Sequence, residues 1–563
     1  GENRGDRYHG ISNKMNRASA ALAPLLFVIA GIIPAKAQQV YPGYDDLWFY
    51  RVWFSDKTNS ISEYSPEELL SPAAITRREK YGIPLVTESD IPVSSQHIQT
   101  LAGEGFRLRC TSKWLNTALF TTTGSKDTDM SGEYPFIDSI QLVKHPVDPV
   151  KTNYSKYGKT ELRTTTEIFD PRLPLNGNVL HESGFTGRNI TIAVLDAGFV
   201  NADKIEALEP LRKRGGIIAT RDFITGSSFV YDYHTHGTSV LSILAGSLPG
   251  IISGTAPGAD YMLLRTEDDF SEFPVEEDYW IAAAEYADSA GADIITSSLG
   301  YFEFDDPSMD YSFSDMDGDR PFITRGADMA FSKGILVVNS AGNERNNVWL
   351  RIIAPSDGDS VLCVGAVNYD LTISDFSSAG YSSDGQVKPD VVAPGVLIPI
   401  QFEPGEWHSG SGTSFSCPVI SGLSASLMQA VPDASPLELI NALHESSDRY
   451  TRPDSLYGYG LPDFLKTLRL LEEEHTFRPE VIMSAGPNPF TDEILFWFHE
   501  PPGSLTVTIT GTNGTTMLEK HFPTFAARSF RLDGLGSLAE GIYLVRTVTD
   551  QGKKVFKMIR TDR

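Results

Sequence analysis

Short, β-branched, almost unbroken apolar runs recur through the middle of the chain. Ile190 to Leu195, Ala292 to Ser298, Gly334 to Val338 and Val361 to Val367 each read as a strand buried on both faces, the mark of a parallel sheet. Helical segments separate most of these runs, as a doubly wound α/β sheet requires. An apolar helix begins at His236. A second, buried one carries Val419, Ile420, Leu423, Leu427 and Met428 among small residues. A glycine-rich loop, Ser409-Gly410-Ser411-Gly412, leads into it, and Pro418 is expected in its first turn, where the missing amide costs nothing. Val431-Pro432 ends it. Pro436 to Glu445 is a further helix, and a last one stops near Leu471, where Glu472-Glu473-Glu474 begins a linker.

The flanks follow other patterns. Upstream, strands are expected at Tyr50 to Phe54, Phe106 to Arg109, Thr117 to Thr121 and Phe136 to Val143. Helices are expected after Ser65 and over Ser94 to Ala102, giving a compact α+β unit. Downstream, six β segments from Glu493 to Ile559 with Gly, Asn and Asp turns between them predict a small all-β sandwich. Before the first unit, Met15-Asn16-Arg17, the apolar stretch Ala20 to Pro34 and Ala35-Lys36-Ala37 read as a secretory signal peptide cut before Gln38. Its apolar part is too short and wrongly flanked to span a membrane. The expected division is 1–37, upstream residues and signal peptide; 38–147, α+β unit; 148–178, linker; 179–472, α/β domain; 473–483, linker; 484–563, β-sandwich.

Charge narrows the partners. Among 563 residues, Lys+Arg 47 against Asp+Glu 73 gives 47 − 73 = −26, which argues against nucleic acid and anionic membranes. Three cysteines are too few for a disulfide scaffold, and Cys363 and Cys417 lie in apolar runs as expected of buried thiols. Asp315-Met316-Asp317-Gly318-Asp319 has the look of a calcium loop but lacks the distal glutamate of an EF-hand. A solvated acidic loop is the preferred reading, with calcium at Asp315, Asp317 and Asp319 the alternative and no cofactor required. His234 and His236 have the spacing of a zinc pair, yet no third ligand in suitable context is nearby.

Four positions carry candidate chemistry. Ser414 sits at the positive end of the buried helix, where backbone amides can stabilise a developing anion. Asp196 ends a strand, at the edge where ligands gather in open α/β sheets. His236 opens its helix, followed by a glycine that lets another backbone come close. Asn343 follows the Gly334 to Val338 strand. Taken singly, Gly-Thr-Ser is only a capped helix start and an Asp after a strand is often only a cap. Together they supply an acyl-transfer site: Ser414 as nucleophile, His236 as base, Asp196 to hold the imidazole, and the Asn343 amide with the Ser414 backbone amide to bind the oxyanion.

Over roughly residues 180–470 the chain resembles the subtilisin-like serine proteases. Asp196-Ala197-Gly198, His236-Gly237-Thr238, Ser298-Leu299-Gly300, Ala341-Gly342-Asn343 and Gly412-Thr413-Ser414 with Pro418 carry the resemblance. It implies that Ser298, Leu299, Gly300 and Ser340, Ala341, Gly342 are two backbone rails that hold a peptide as an added strand and line the pocket beside it. Ala197 and Ser239 depart from the family, which usually has Ser or Thr and His there. The 38–147 unit is similar to propeptides of subtilases from Bacteroidetes-type bacteria. The C-terminal unit, opening on Pro487-Asn488-Pro489-Phe490 and closing on Gly541-Ile542-Tyr543-Leu544-Val545, resembles the sorting domain read by the type-IX (Por) secretion system. A carbohydrate- or surface-binding module is the alternative for that unit. The resemblance implies a monomeric secreted endopeptidase made as a zymogen. It would act on proteins or peptides outside the cell or on its outer surface, with the secretion machinery as partner. A catalytically inactive, surface-binding relative is the alternative, and the chemical competence of all four positions favours the enzyme.

Overall fold

The computed structural model describes residues 44–146, 159–162, 169–476, 483–486, 488–498, 501–511, 515–527, 529–549 and 552–561. The expected signal peptide, with its cleavage site before Gln38, and residues 148–158 and 163–168 of the linker expected over 148–178 lie outside them. The first unit comprises β1 (Trp48–Phe54), α1 (Pro72–Lys80), α2 (Ser95–Gly103), β2 (Arg107–Ser112), β3 (Thr117–Thr122) and β4 (Ile137–Lys144). Its strands form an antiparallel sheet in the order β2-β3-β1-β4. Alternation along β1 sends Tyr50, Val52 and Phe54 into the unit's own core, with Leu101 and Phe106. Arg51 and Trp53 point the other way, towards the next domain.

That domain adds β5 (Lys159–Leu162), β6 (Thr191–Asp196), β7 (Ile217–Asp222), α3 (His236–Ala245), β8 (Asp260–Arg265), α4 (Val275–Ala290), β9 (Ile294–Ser297), α5 (Phe322–Ser332), β10 (Leu336–Ser340), β11 (Val361–Val367), β12 (Val391–Pro394), β13 (Ile398–Glu403), β14 (Glu406–Ser411), α6 (Thr413–Ala430), α7 (Pro436–Ser446) and α8 (Phe464–Thr476). Seven strands make one sheet, ordered β12-β11-β10-β9-β6-β8-β7, and its pairings are parallel. The chain runs from β6 out to β7, returns to β8 beside β6, then crosses to β9 on β6's other side. β6 is therefore the switch point of the sheet, and its C-terminal end opens into a crevice.

Helix α4 faces the first unit with a row of acids. Arg51 Nε donates to both Asp278 carboxylate oxygens, at 3.0 and 2.9 Å, and its Nη2 reaches Pro274 O at 2.8 Å. Arg77 and Arg78 share Asp288, while Glu285 accepts from Ser112 Oγ and from the amides of Lys113 and Trp114. On the opposite side of the junction Lys333 donates to Asp90, 3.1 Å away. Burial opposes ionisation of Asp90, yet Arg78 and Lys333 hold its carboxyl well below the usual range. Many acids of the middle domain thus neutralise cations of the first unit.

Four expectations need correction. Ser409 to Ser411 are not a loop: β14 pairs antiparallel with β13 and with β5, and Gly410 lies under Phe415, where a Cβ would come within 2.6 Å of the ring. The linker expected over 148–178 accordingly contains a strand, and Leu175 near its end is buried in the core of the α/β domain. Glu472 to Glu474 continue α8 to Thr476; glutamate is a good helix former, and His475 meets Glu438 of α7 at 3.4 Å. Finally, Pro418 lies inside α6 rather than in its first turn.

The C-terminal strands β15 (Met483–Gly486), β16 (Ile494–Phe498), β17 (Leu505–Gly511), β18 (Thr516–Phe522), β19 (Ser529–Leu532), β20 (Gly541–Thr549) and β21 (Gly552–Arg560) form two antiparallel sheets, β15-β16-β19 and β18-β17-β20-β21. Residues of both, including Phe496, Val507 and Val545, share one core. Pro487 lies outside the described residues. Among them no helix is long and apolar enough to cross a membrane. All three cysteines are free, and burial pushes the Cys363 and Cys417 thiols up to about 12.

Asp357 is fully buried, accepting from Thr324 Oγ1 at 2.7 Å and from the Gly318 amide at 3.1 Å. Burial pushes its carboxyl up to about 6, from an ordinary 3.8. A raised carboxyl contributes stability that is complete below its unfolded value and lost as pH rises through its folded one. In a full chain carrying Ser414→Ala to prevent self-cleavage, the melting temperature should therefore fall between about pH 4 and pH 7. Asp357→Asn should flatten that fall in part, because Asp328, also raised to about 6, adds a term of the same sign. Identical slopes in both proteins would show that Asp357 does not titrate there.

Candidate active site

Asp196 ends β6 at the switch point and is wholly buried. A buried carboxylate needs donors. Its Oδ1 accepts from the Ala197 amide at 2.8 Å and from His236 Nδ1 at 2.8 Å, and Oδ2 lies 3.0 Å from the same nitrogen. His236, at the head of α3, reaches it because the next residue is glycine. A Cβ on Gly237 would sit 2.5 Å from Gly198 O and 3.0 Å from Asp196 Cβ. The close approach expected of that glycine is where the histidine and aspartate meet. Behind them, Arg265 of β8 donates to Ala197 O at 2.9 Å and to Asp222 at 3.1 Å, fixing the turn after Asp196. Ala197 costs the carboxylate no backbone donor, and the Ser239 hydroxyl is satisfied by Thr235 O at 3.2 Å.

The Nδ1 atoms of His234 and His236 are both engaged within the protein. That of His234 accepts from the His236 amide at 3.0 Å, the rings are 6.3 Å apart, and His236 Nδ1 is committed to Asp196.

Ser414 is the second residue of α6, 3% exposed, and Phe415 beside it brings its ring to 6.0 Å from that of His236. Pro418 explains the local geometry. Lacking an N–H, it leaves the Ser414 carbonyl without its helical partner. Ser298 Oγ supplies the bond at 3.0 Å, and Ser414 Oγ in turn donates to Ser298 O at 3.3 Å. The nucleophile candidate is thereby pinned to the strand end that the resemblance assigns to substrate.

Asn343 lies opposite. Its Oδ1 accepts from the Thr413 amide at 2.9 Å and the Thr413 hydroxyl at 3.1 Å, which leaves the carboxamide NH2 as its available donor. Thr413 was not singled out from the sequence, where a threonine before a serine reads as a cap. The two segments expected as rails follow β9 and β10 and are tied together: Asn339 Nδ2 donates to Leu299 O and to Ser340 O, both at 3.0 Å. A Cβ on Gly300 would meet the Ala354 carbonyl oxygen at 2.9 Å, and Gly342 takes φ +102°, a conformation that favours glycine. Ala341 is buried between them. The sequence offered no sign of Asn339, one polar residue in a β-branched run.

The acidic loop is largely occupied by its own chain. Asp315 accepts from Ser312 and from Arg320 Nη1 at 2.7 Å, and Asp317 accepts from the Asp319 and Arg320 amides.

Comparison with known proteins bears on this geometry. The subtilase family (Peptidase_S8) matches residues 187–460. The Bacteroidota Peptidase S8 propeptide domain matches residues 49–159, and the secretion system C-terminal sorting domain matches residues 485–561. Subtilisin of Bacillus pumilus is 30% identical over 286 residues, covering 50% of this chain and 92% of that protein. Subtilisin E of Bacillus subtilis (strain 168) has the same identity over the same length, which is 66% of it. Serine protease AprX of the same organism is 28% identical over 333 residues, 54% of this chain and 70% of AprX. The matched region encloses the strand end bearing Asp196, the helix opened by His236 and the helix carrying Ser414, and on these grounds the chain belongs to the subtilase family.

Proposed function

We propose that the protein is a secreted serine endopeptidase, made as a zymogen, that cleaves peptide bonds through an acyl-enzyme. The observation that carries this reading is the buried Asp196–His236 pair beside a serine at a helix N-terminus, with the Asn343 carboxamide oriented by Thr413. Ser414 Oγ swings from Ser298 O to the imidazole, gives up its proton to His236 Nε2 and attacks the substrate carbonyl. Asp196 keeps Nδ1 protonated and offsets the imidazolium charge. Negative charge on the carbonyl oxygen is met by Asn343 Nδ2 and the Ser414 amide, at the positive end of α6. His236 then protonates the leaving amine, and water enters by the reverse steps. Residues 298–300 and 340–342 hold the substrate as an added strand. These steps use groups of this chain alone. The Arg320 and turn-amide contacts of Asp315 and Asp317 support a solvated acidic loop over calcium there.

The flanking units complete the reading. The first unit covers α4 and Lys333, just past α5, through buried ion pairs, and β5, downstream of it, adds to β14 with Lys159 opposite Ser411, three residues before the nucleophile. That arrangement supports a propeptide that blocks the site and is cut away in the stretch between β4 and β5. The C-terminal sandwich serves export to the cell surface or medium.

Ser414→Ala should abolish hydrolysis of a peptide substrate while leaving the melting temperature near that of the parent. A loss of about 10⁶ in kcat is expected, the size of the same loss in subtilisin, and His236→Ala should match it without adding to it. Near-normal turnover in purified Ser414→Ala would refute the assignment.

Asn343→Ala should lower kcat by about 10²–10³, again the magnitude of the corresponding loss in subtilisin, with KM little changed. An effect confined to KM would make Asn343 a binding residue.

Cells of the native host expressing the full chain should contain an inactive precursor that converts to an active species lacking the first unit. Removing residues 484–563 should trap a folded protease in the periplasm. Export of the truncated chain at the full-length level argues for a binding module instead, and full activity of an uncleaved precursor rules out the inhibitory role.

A further inference from the structure

We propose that Glu403, Glu406 and His408 form a binding site for a first-row divalent transition metal, with zinc as its representative, that braces the hairpin leading into Ser414. These residues lie outside the catalytic machinery, on β13 and β14. Glu403 and Glu406 are register partners that close a two-residue turn, Pro404-Gly405. Two carboxylates directly opposed across a hairpin repel each other, and nothing in the turn itself relieves them. His408 is two residues beyond Glu406 on the same strand and therefore on the same face. One carboxylate oxygen from each glutamate and one ring nitrogen of His408 lie within 4.8 Å of one another.

The histidine is the independent sign of a ligand. It is 7% exposed, its ring stacks on Phe402 at 4.2 Å, and its buried Nε2 has no hydrogen-bond partner. That nitrogen faces Glu403 Oε2 at 3.6 Å, too far for a hydrogen bond. Ligand atoms about 2.1 Å from a tetrahedral ion stand roughly 3.4 Å apart, so small rotations of the two exposed glutamates complete the set. Among the described residues neither glutamate carboxylate accepts a hydrogen bond that would have to be broken first.

The turn is already held in shape from behind. Gln401 Nε2 and the Gly405 amide both donate to Glu206, and Asn201 donates to Phe402 O. An imidazole with two carboxylates suits zinc, manganese or a neighbouring metal, whereas calcium takes six to eight oxygens. The exposed side leaves room for water in the remaining positions. A bound ion would cross-link β13 to β14, whose last residue is three before Ser414, and so stiffen the approach to the nucleophile.

The test uses the full chain carrying Ser414→Ala, stripped with a chelator and titrated calorimetrically with zinc chloride, with thermal melting in parallel. One equivalent of zinc should bind and raise the melting temperature. His408→Asn and Glu406→Gln should each weaken binding by about 10²-fold or more, beyond the cost of losing a mere supporting contact. Glu403→Gln, at an exposed position, carries the test should His408→Asn fail to fold. The proposal is overturned by the absence of saturable binding in the parent or by undiminished affinity in the variants, which would place zinc elsewhere on the acidic surface. Calcium binding as tightly as zinc would likewise overturn it.

Discussion

The contact on which the site depends is the approach of α3 to the end of β6. It puts a fully buried carboxylate against an imidazole nitrogen, and with water excluded the imidazole N–H must donate and the carboxylate accept. Two things permit it. β6 is the switch point of the sheet, so neighbouring loops part there, and Gly237 has no side chain to hold the backbones apart. Arg265 adds a second tie behind the turn, through the Ala197 carbonyl.

The same economy governs the serine. A proline within a helix ordinarily weakens it, but here the freed carbonyl is that of Ser414 and the bond is recovered from Ser298. The helix is thereby coupled to the segment after β9, and that segment to the end of β10 through Asn339. Ser414, Asn343 and residues 298–300 and 340–342 thus belong to one hydrogen-bonded unit spanning α6, β9 and β10.

A chain of net charge −26 must place its acids somewhere. Several sit on α4, where solvent would serve them well, yet in this structure they are buried under the first unit with Arg51, Arg77 and Arg78 for partners. Buried ion pairs contribute little net stability, because desolvation offsets attraction. They do fix register, since any other docking leaves charges unpaired. On the zymogen reading this is the useful balance: a first unit that docks in one way and can still be removed, after which water resolvates the acids of α4.

The amino-acid sequence by itself determined the parallel sheet, the helices at His236 and Ser414, the α+β and all-β flanks and the order of the candidate catalytic residues. Each is written in local periodicity or in a residue beside a glycine or a strand end, and such signals survive without knowledge of the partner. Tertiary structure alone decided the rest. Gly410 reads as a loop glycine until Phe415 lies over it, and Pro418 as a first-turn proline until Ser298 is found beneath it. Glu472 to Glu474 read as a linker until His475 meets Glu438. Thr413, Asn339, the acids of α4 and the Glu403–Glu406–His408 cluster depend on pairing across the fold or on hairpin register. A contact between residues far apart in the chain leaves no periodic trace in either segment, which is why only the folded molecule reveals it.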